Sequence, residues 1–342
     1  MLAKNDLILS KKYVMKNLNN FYLTLILVIL IGSGILFHGC NSNNRQNFDQ
    51  SSNLKGKITL SGAFALYPMV VKWAEEFQKI HPDVTINVSA GGAGKGMADA
   101  LSNMVDLGMY SKEVSPEEQA KGAWWVPVVK DAVLPTVNVN NPVIKELKTN
   151  GLTKDQFYNI FIIEKYKTWG DVVGNNCKES VQAFTRSDAC GAADMWAKYM
   201  KGKKQEDLQG LGVNGDPGVA DAVKRSVGGI GYNNLNFVYD MQTRKSFPGI
   251  EVVPIDLNGN GKIDPDESFY SSLDQIMKAI DEGKYPSPPA RELYLVSKGK
   301  PSSRLVLTFL EWVLKDGQKY VQEAGYVSIS TEKIAKNLER LK

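Results

Sequence analysis

Apolar and polar residues recur with two different periods at the start of the folded part of the chain. Residues 57–60 and 84–88 alternate as β-strands do. Between them, residues 69–80 place apolar side chains at helical spacing, and residues 97–104 repeat that spacing after a glycine-rich turn. The order is strand, loop, helix, strand, glycine loop, helix. It predicts an α/β layer with a parallel sheet.

The same patterns continue through the rest of the chain. Lys130 and Asp131 separate two runs that are each typical of a strand. The remaining strands are predicted at 105–110, 124–129, 133–139, 181–184 and 290–297. The remaining helices are predicted at 155–161, 169–173, 191–200, 215–226, 302–314 and 317–324.

A glycine-rich loop joins the second strand to its helix. Gly91, Gly92, Gly94 and Gly96 allow backbone N–H groups at a helix start to approach an anion. The loop does not match a Walker phosphate loop, because Ser89 stands at the first glycine position and Gly96 follows the lysine. The alternative interpretation is a flexible turn without a ligand.

The loops that follow parallel strands lie at the same edge of a sheet, where α/β proteins bind ligands. A third strand, at 181–184, leads into Arg186 and another helix start. An arginine there would add a bidentate donor to a ring of N–H groups, although a surface ion pair is the commoner role. The three junctions together predict an anion site.

Charge and composition exclude a nucleic-acid partner. The 342 residues carry a net charge of +4, and removing the four lysines and one aspartate before Cys40 lowers it to +1. No clustered basic face is apparent in the sequence.

The first 40 residues are typical of an export signal. Lys16 precedes an uncharged apolar run at 21–37, and Gly39-Cys40 closes it. The ending resembles a bacterial lipoprotein signal, which implies lipidation of Cys40; an uncleaved membrane anchor is the alternative. Residues 41–56 are polar and predict a tether.

Two cysteines remain in the exported part. Cys177 and Cys190 could form a disulfide or stay as two free thiols. A nucleophilic role for Cys190 at a helix start would need a base, and the only histidines are His38 in the signal and His81 in a distant turn. We therefore expect no catalytic residues and no enzyme.

Residues 256–267 match a calcium-binding loop. Such loops place ligands at positions 1, 3, 5, 7, 9 and 12, with glycine at position 6. Gly261 stands at that glycine position. The alternative to a calcium site is a similar Asn/Asp/Gly turn that binds no metal. The preceding residues are strand-like, which predicts an isolated, structural Ca²⁺ site with the ligands Asp256, Asn258, Asn260, Lys262 (through its carbonyl), Asp264 and Glu267.

Several short segments carry a family resemblance. They are Trp169 after a helical stretch, Ile230-Gly-Tyr232, Lys284-Tyr-Pro286 and Arg291-Glu-Leu-Tyr294. With the three junctions, they make residues 57–330 similar to the substrate-binding protein of the phosphate-specific ABC transporter. The resemblance implies a two-lobe periplasmic-binding-protein fold (type II). Each lobe would be a mixed sheet flanked by helices, with lobe 1 at 57–132 and 241–342, lobe 2 at 133–240, and the ligand in the cleft between them.

The resemblance also implies the site. Family members bind phosphate through hydroxyl side chains in the three loops, but this chain has alanine, glycine or cysteine at most of those positions. The ligand residues implied here are Ala63, Phe64, Ala65, Gly92, Ala93, Gly94, Lys95, Ser111, Arg186, Cys190, Gly191 and Ala192.

The implied function is a lipid-anchored, monomeric solute-binding protein that captures phosphate or a related oxyanion for an ABC permease. The alternatives are another oxyanion, such as molybdate, tungstate or sulfate, and a sensing or adhesion role without transport. Because most hydroxyl ligands are replaced, the sequence predicts an anion more firmly than it predicts phosphate.

Overall fold

The structure, a computed structural model, describes residues 54–342. The predicted signal segment, with Cys40, and nearly all of the predicted tether lie outside the described residues. The strands are β1 (Gly56–Gly62), β2 (Val84–Ala90), β3 (Leu107–Tyr110), β4 (Ala123–Asn138), β5 (Leu152–Thr153), β6 (Gln182–Arg186), β7 (Leu211–Val213), β8 (Gly229–Asn234), β9 (Ile250–Val252), β10 (Ile255–Asp256) and β11 (Ala290–Lys298).

The helices follow most of the predicted spacings. They are α1 (Tyr67–Ile80), α2 (Ala93–Leu101), α3 (Pro116–Ala120), α4 (Ile144–Asn150), α5 (Lys154–Phe161), α6 (Trp169–Val173), α7 (Gly191–Tyr199), α8 (Gly215–Arg225), α9 (Leu273–Asp281), α10 (Arg304–Leu314) and α11 (Thr331–Leu341). No helix among residues 54–342 combines the length and the apolar character that a membrane span requires.

One curled sheet of mixed direction contains nine of the described strands. Its order is β2-β1-β3-β11-β4-β8-β6-β7, with β9 also paired to β4. β1 pairs in parallel with β2 and β3, whereas β11 and β4 run antiparallel to their neighbours. The predicted α/β class with mixed sheets is therefore confirmed.

The strand β4 corrects one prediction. The sequence predicted two strands around Lys130 and Asp131, but the structure has one continuous strand of 16 residues. Lys130 bonds through its backbone to Val327, and Asp131 lies opposite Arg291 of β11 in the strand register. The two charged residues therefore lie within a strand and not in a turn. Asp131 can be buried there because it faces Arg291, which is buried and carries the opposite charge.

The two halves of β4 join two hydrophobic cores. Residues up to Asp131 and Ala132 pair with β11, and Val133 to Val137 pair with β8. In the first core Phe77 meets Phe309 edge-on, with ring centroids 5.2 Å apart. In the second, Trp196 stacks on Tyr232 at 5.8 Å. Truncating such buried aromatic rings to alanine typically costs about 3–5 kcal/mol, so each lobe has its own stabilising centre.

The chain returns to the first core later than predicted. Side chains of β9, β10 and α9 pack in the second core, and β11 is the element that rejoins the first. The predicted boundary at residue 241 thus differs from this packing, since the segment with the calcium motif lies with the second core.

The predicted helix at 317–324 is a 3₁₀ turn over Asp316–Tyr320. The indole Nε1 of Trp73 donates to the carbonyl of Gly317 at 2.9 Å, so this carbonyl accepts a hydrogen bond from the core and not one from an α-helix.

The helix α2 begins at Ala93, four residues before the predicted start.

The buried charge of Asp131 predicts a pH-dependent stability. Burial raises the pKa of Asp131 to about 6, against the opposing effect of Arg291. A raised carboxyl pKa favours the protonated group in the folded state, so its stabilising contribution is present at low pH and is lost as pH rises through about 6. Raising the pKa of Asp131 from its usual value to about 6 corresponds to a change of about 3 kcal/mol in the free energy of unfolding.

We expect the free energy of unfolding of Asp131→Asn, relative to that of the wild type, to increase by about 2–3 kcal/mol as the pH rises from 4 to 7, measured by urea unfolding. Asp281→Asn is the matched control, because this aspartate is exposed near Lys130. A difference between wild type and Asp131→Asn that stays constant over this range would contradict the prediction.

Candidate functional site

The three predicted strand-to-helix junctions meet at one place. The N–H of Gly94, in the glycine loop, donates to the carbonyl of Ala189 in the loop after β6 at 3.1 Å. The ring of Phe64, in the first loop, lies 5.5 Å from the guanidinium carbon of Arg186. A fourth helix start joins them, since a β-carbon on Gly215 would lie 3.1 Å from Phe64 Cζ.

The glycines of the loop have separate roles. Gly92 has a φ of +89°, which a residue with a β-carbon rarely adopts, and it lies against the carboxylate of Asp188. Gly96 packs into the fold instead: a β-carbon there would lie 2.4 Å from the carbonyl of Met109. Only the first part of the loop therefore faces the junction, and Gly96 permits close packing of α2 on the sheet.

The side chains of the first loop and the glycine loop supply no donor to the centre, and the N–H groups of Gly92 and Gly94 already donate to the carbonyls of Gly62 and Ala189. Ala63, Ala65 and Ala93 are buried, and their methyl groups belong to the first core. Within residues 54–342, no protein group accepts a hydrogen bond from the N–H of Phe64 or Ala65. These two N–H groups precede α1, where the helix dipole favours negative charge.

Ser111 lies directly on the start of α7. A β-carbon on Gly191 would be 2.0 Å from the carbonyl oxygen of Ser111 and 2.4 Å from its Oγ. Ser111 follows β3 and is buried. The first N–H groups of a helix have no partner within it, so those of Gly191 and Ala192 are available beside the Ser111 hydroxyl.

Arg186 is held between two carboxylates. Its Nε and Nη2 donate to Asp188 at 2.7 and 2.5 Å, and its Nη1 donates to Asp216 at 2.5 Å. Burial opposes the guanidinium charge, but Asp216 and Asp188 outweigh it and raise the pKa of Arg186. Burial also opposes ionisation of Asp188, yet Arg186 lowers the pKa of that carboxyl. Both groups therefore stay charged across the physiological range.

Sequence reasoning missed four polar residues around this centre. They are Asp188, Asp216, Asn234 and Arg291, and all but Asp188 are more than nine-tenths buried. The signals were present: Asp188 follows Arg186 by two residues, and Asp216 stands in the first turn of α8. Their pairing across long sequence separations had no periodic pattern to predict it.

Cys190 has a structural role in the described part of the chain. Its Sγ accepts from the N–H of Ala193 at 3.4 Å and so caps α7. Burial raises the pKa of the Cys190 thiol to about 12, which leaves it protonated and unreactive. Cys177 and Cys190 are both free thiols, so the disulfide alternative is not formed in this structure.

Lys95 is not brought to the centre. Its ammonium group pairs with Asp99 one helical turn further along α2, and about half of the side chain is exposed. Asp99 also accepts from the hydroxyl of Ser61 at 2.6 Å. Lys95 therefore balances a carboxylate on the helix surface.

The predicted calcium loop is folded around its own carboxylates. The oxygens of Asp256 accept from the N–H groups of Gly259 and Gly261 at 2.7 and 2.9 Å. Glu267 accepts from backbone N–H groups at both ends of the loop, including Leu257 at 2.9 Å. The amides of Asn258 and Asn260 donate to Asp264, whose other oxygen pairs with Lys262.

Asp256 and Glu267 are both buried, which is unusual for carboxylates in a surface loop. In residues 54–342, no group of three or more Asp, Glu, His or Cys side chains is close enough to hold a metal ion. The other ligands of the motif are carboxamides and a carbonyl, which that grouping does not include. Calcium therefore stays a prediction.

Comparisons with known proteins agree with this architecture. Residues 48–317 match the family described as the PBP superfamily domain. The phosphate-binding protein PstS of Staphylococcus haemolyticus is 27% identical over 317 residues, covering 90% of this chain and 92% of that protein. PstS of Staphylococcus aureus is 24% identical over 318 residues, covering 91% and 90%.

Solved structures share the fold. One is a Clostridium perfringens protein with bound phosphate, described as a phosphate ABC transporter substrate-binding protein; it is 21% identical, with a TM-score of 0.65, covering 80% of this chain and all of that one. Another is an ABC-type phosphate transport receptor from Vibrio cholerae, at 19% identity and a TM-score of 0.57 over the same shares. The resemblance stated from the sequence is confirmed, and the chain belongs to the PBP superfamily.

Proposed function

We propose that this chain is the solute receptor of an ABC importer and that it captures phosphate outside the cytoplasmic membrane. The observation that carries the proposal is the meeting of three helix N-termini with Arg186 and Ser111 at one buried centre. Helix N-termini favour anions, and a guanidinium adds charged donors. The chain is thus a binding protein rather than an enzyme, in line with its relatives.

We propose phosphate ahead of other oxyanions because the staphylococcal relatives are phosphate-binding proteins and the Clostridium perfringens structure holds phosphate. The side chains themselves are less selective. Ser111 is the single hydroxyl among the predicted ligand residues, and it can donate or accept. Arsenate, sulfate, molybdate and tungstate are therefore the competitors to test.

Two other roles have less support. An enzyme based on Cys190 lacks a reactive thiol, and His81, the only histidine among residues 54–342, packs its ring 4.6 Å from Phe77. A sensing or adhesion role without transport rests only on the missing hydroxyls. The buried Arg186 beside three helix starts is better explained by an anion site.

The proposal places the folded part outside the cytoplasmic membrane, attached through a lipid on Cys40. Its support is the signal pattern that ends at Gly39-Cys40. Labelling with a radioactive fatty acid separates the alternatives: a lipidated wild type takes up the label and Cys40→Ala does not, whereas with an uncleaved anchor neither protein takes it up.

The anion site predicts a titratable affinity. We expect isothermal titration to give phosphate binding tighter than about 10 μM. Arg186→Lys keeps the charge but loses the fork to Asp188 and Asp216, so binding should weaken about 10- to 100-fold. Arg225→Lys, in an exposed ion pair on α8, is the matched control and should bind as the wild type does.

The proposal fails if no oxyanion of the panel binds the wild type more tightly than about 1 mM. It is corrected to another anion if molybdate, tungstate or sulfate binds more tightly than phosphate.

We also propose that the loop at 256–267 binds Ca²⁺ as a structural ion. Its oxygen-rich residues fit a hard cation, and the motif positions match a calcium loop. The loop joins two parts of the second core: β10 pairs with β5, and the N–H of Ile263 donates to the carbonyl of Thr149 at 2.9 Å. An ion held by Asp256 and Glu267 would fix this connection.

Calcium should therefore raise the thermal midpoint. At about tenfold excess over its Kd, an ion adds about 1.4 kcal/mol, or about 2–4 °C for a protein of this size. Glu267→Gln should abolish the effect, and Asp266→Asn, an exposed neighbour outside the predicted ligand set, should keep it. Equal midpoints of the wild type in calcium and in chelator would remove the site.

A further inference from the structure

Arg291 contacts residues of both lobes at the edge of the anion site. Its Nε donates to the carbonyl of Ser111 at 3.4 Å, and its Nη2 donates to Oδ1 of Asn234. Its Nη1 lies 3.4 Å from Oδ2 of Asp131. Only 5% of the side chain is exposed. Arg291 is not among the ligand residues that the sequence predicted.

A continuous path of hydrogen bonds runs from Arg291 to Arg186. Asn234 donates through Nδ2 to Oδ1 of Asp216 at 2.7 Å and through its N–H at 3.2 Å. The other oxygen of Asp216 accepts from Nη1 of Arg186 at 2.5 Å. The path therefore joins Ser111, which follows a strand of the first lobe, to Arg186, which ends a strand of the second.

Asp131 balances the charge of Arg291 without a hydrogen bond. No hydrogen bond joins Asp131 to Nη1 of Arg291, although the backbone N–H groups of Ala132 and Leu235 lower the pKa of the carboxyl. A buried ion pair of this kind adds little to stability compared with an apolar pair of similar volume. Stability alone therefore does not explain a buried ion pair at the middle of β4.

We propose that Arg291 is a positioning residue of the anion site. It holds the backbone of Ser111 in register with Arg186 through Asn234 and Asp216, and Asp131 is its counter-ion. It acts through these partners and does not touch the anion. This inference rests on the proposed function, because it assumes that Ser111 and Arg186 bind the same anion.

The first test replaces the fork of Arg291 and keeps its charge. Arg291→Lys should weaken phosphate binding about 10- to 100-fold by isothermal titration, because a lysine cannot hold Ser111 and Asn234 at once. Arg244→Lys is the matched control. Arg244 also pairs with an aspartate, Asp274 at 2.6 Å, and with two backbone carbonyls, but it is only partly buried, with 22% of its side chain exposed. The phosphate affinity of Arg244→Lys should stay within about twofold of that of the wild type.

The second test separates positioning from stability. A cycle of Arg291→Lys, Asp216→Asn and the double variant is measured for phosphate affinity and for the thermal midpoint. If Arg291 acts along the path, the double variant binds no worse than the weaker single variant. A merely structural role would lower the midpoint and leave the effects on affinity additive.

This inference alone is overturned if the wild type binds phosphate and the affinity of Arg291→Lys lies within twofold of the wild-type value. It is also overturned if the effects of Arg291→Lys and Asp216→Asn on affinity are additive. A wild type that binds no oxyanion overturns the proposed function, and this inference with it. If Arg291→Lys does not fold, Arg291→Met with Asp131→Asn removes both charges together and should show the same loss of affinity.

Discussion

The buried guanidinium of Arg186 constrains the arrangement of everything around it. An ion inside a protein costs several kcal/mol unless charged and hydrogen-bonding partners surround it. Here Asp188 comes from the same loop, Asp216 from the start of α8, and the ring of Phe64 from the first loop. Three separate segments must therefore close on one side chain. The meeting of the helix N-termini follows from that requirement.

The site differs in chemistry from one built on hydroxyl side chains. Its alanines are committed to the core, and Cys190 caps its own helix. What remains for an anion is backbone N–H at several helix starts, one serine and a guanidinium already shared by two carboxylates. Backbone donors do not rotate, so such a site depends on how accurately the lobes are aligned. That dependence is why the path from Ser111 through Arg291 to Arg186 matters.

Local pattern predicted much of the fold. Alternation located β1 and β2, helical spacing located α1, and the rule on strand ends placed the three loops together. The continuity of β4 was missed because Lys130 and Asp131 resemble a break, and only the opposing Arg291 shows otherwise. The roles of Asp216 and Arg291 depend on partners distant in sequence, which no local period encodes.

In the proposed site, backbone N–H groups from both lobes hold one anion. Amide hydrogen exchange, measured by mass spectrometry with and without saturating phosphate, tests it most directly. We expect slower exchange in three segments, at 63–66, 92–95 and 190–193. Protection confined to one lobe, or no change in any of the three segments while phosphate is bound, would contradict it.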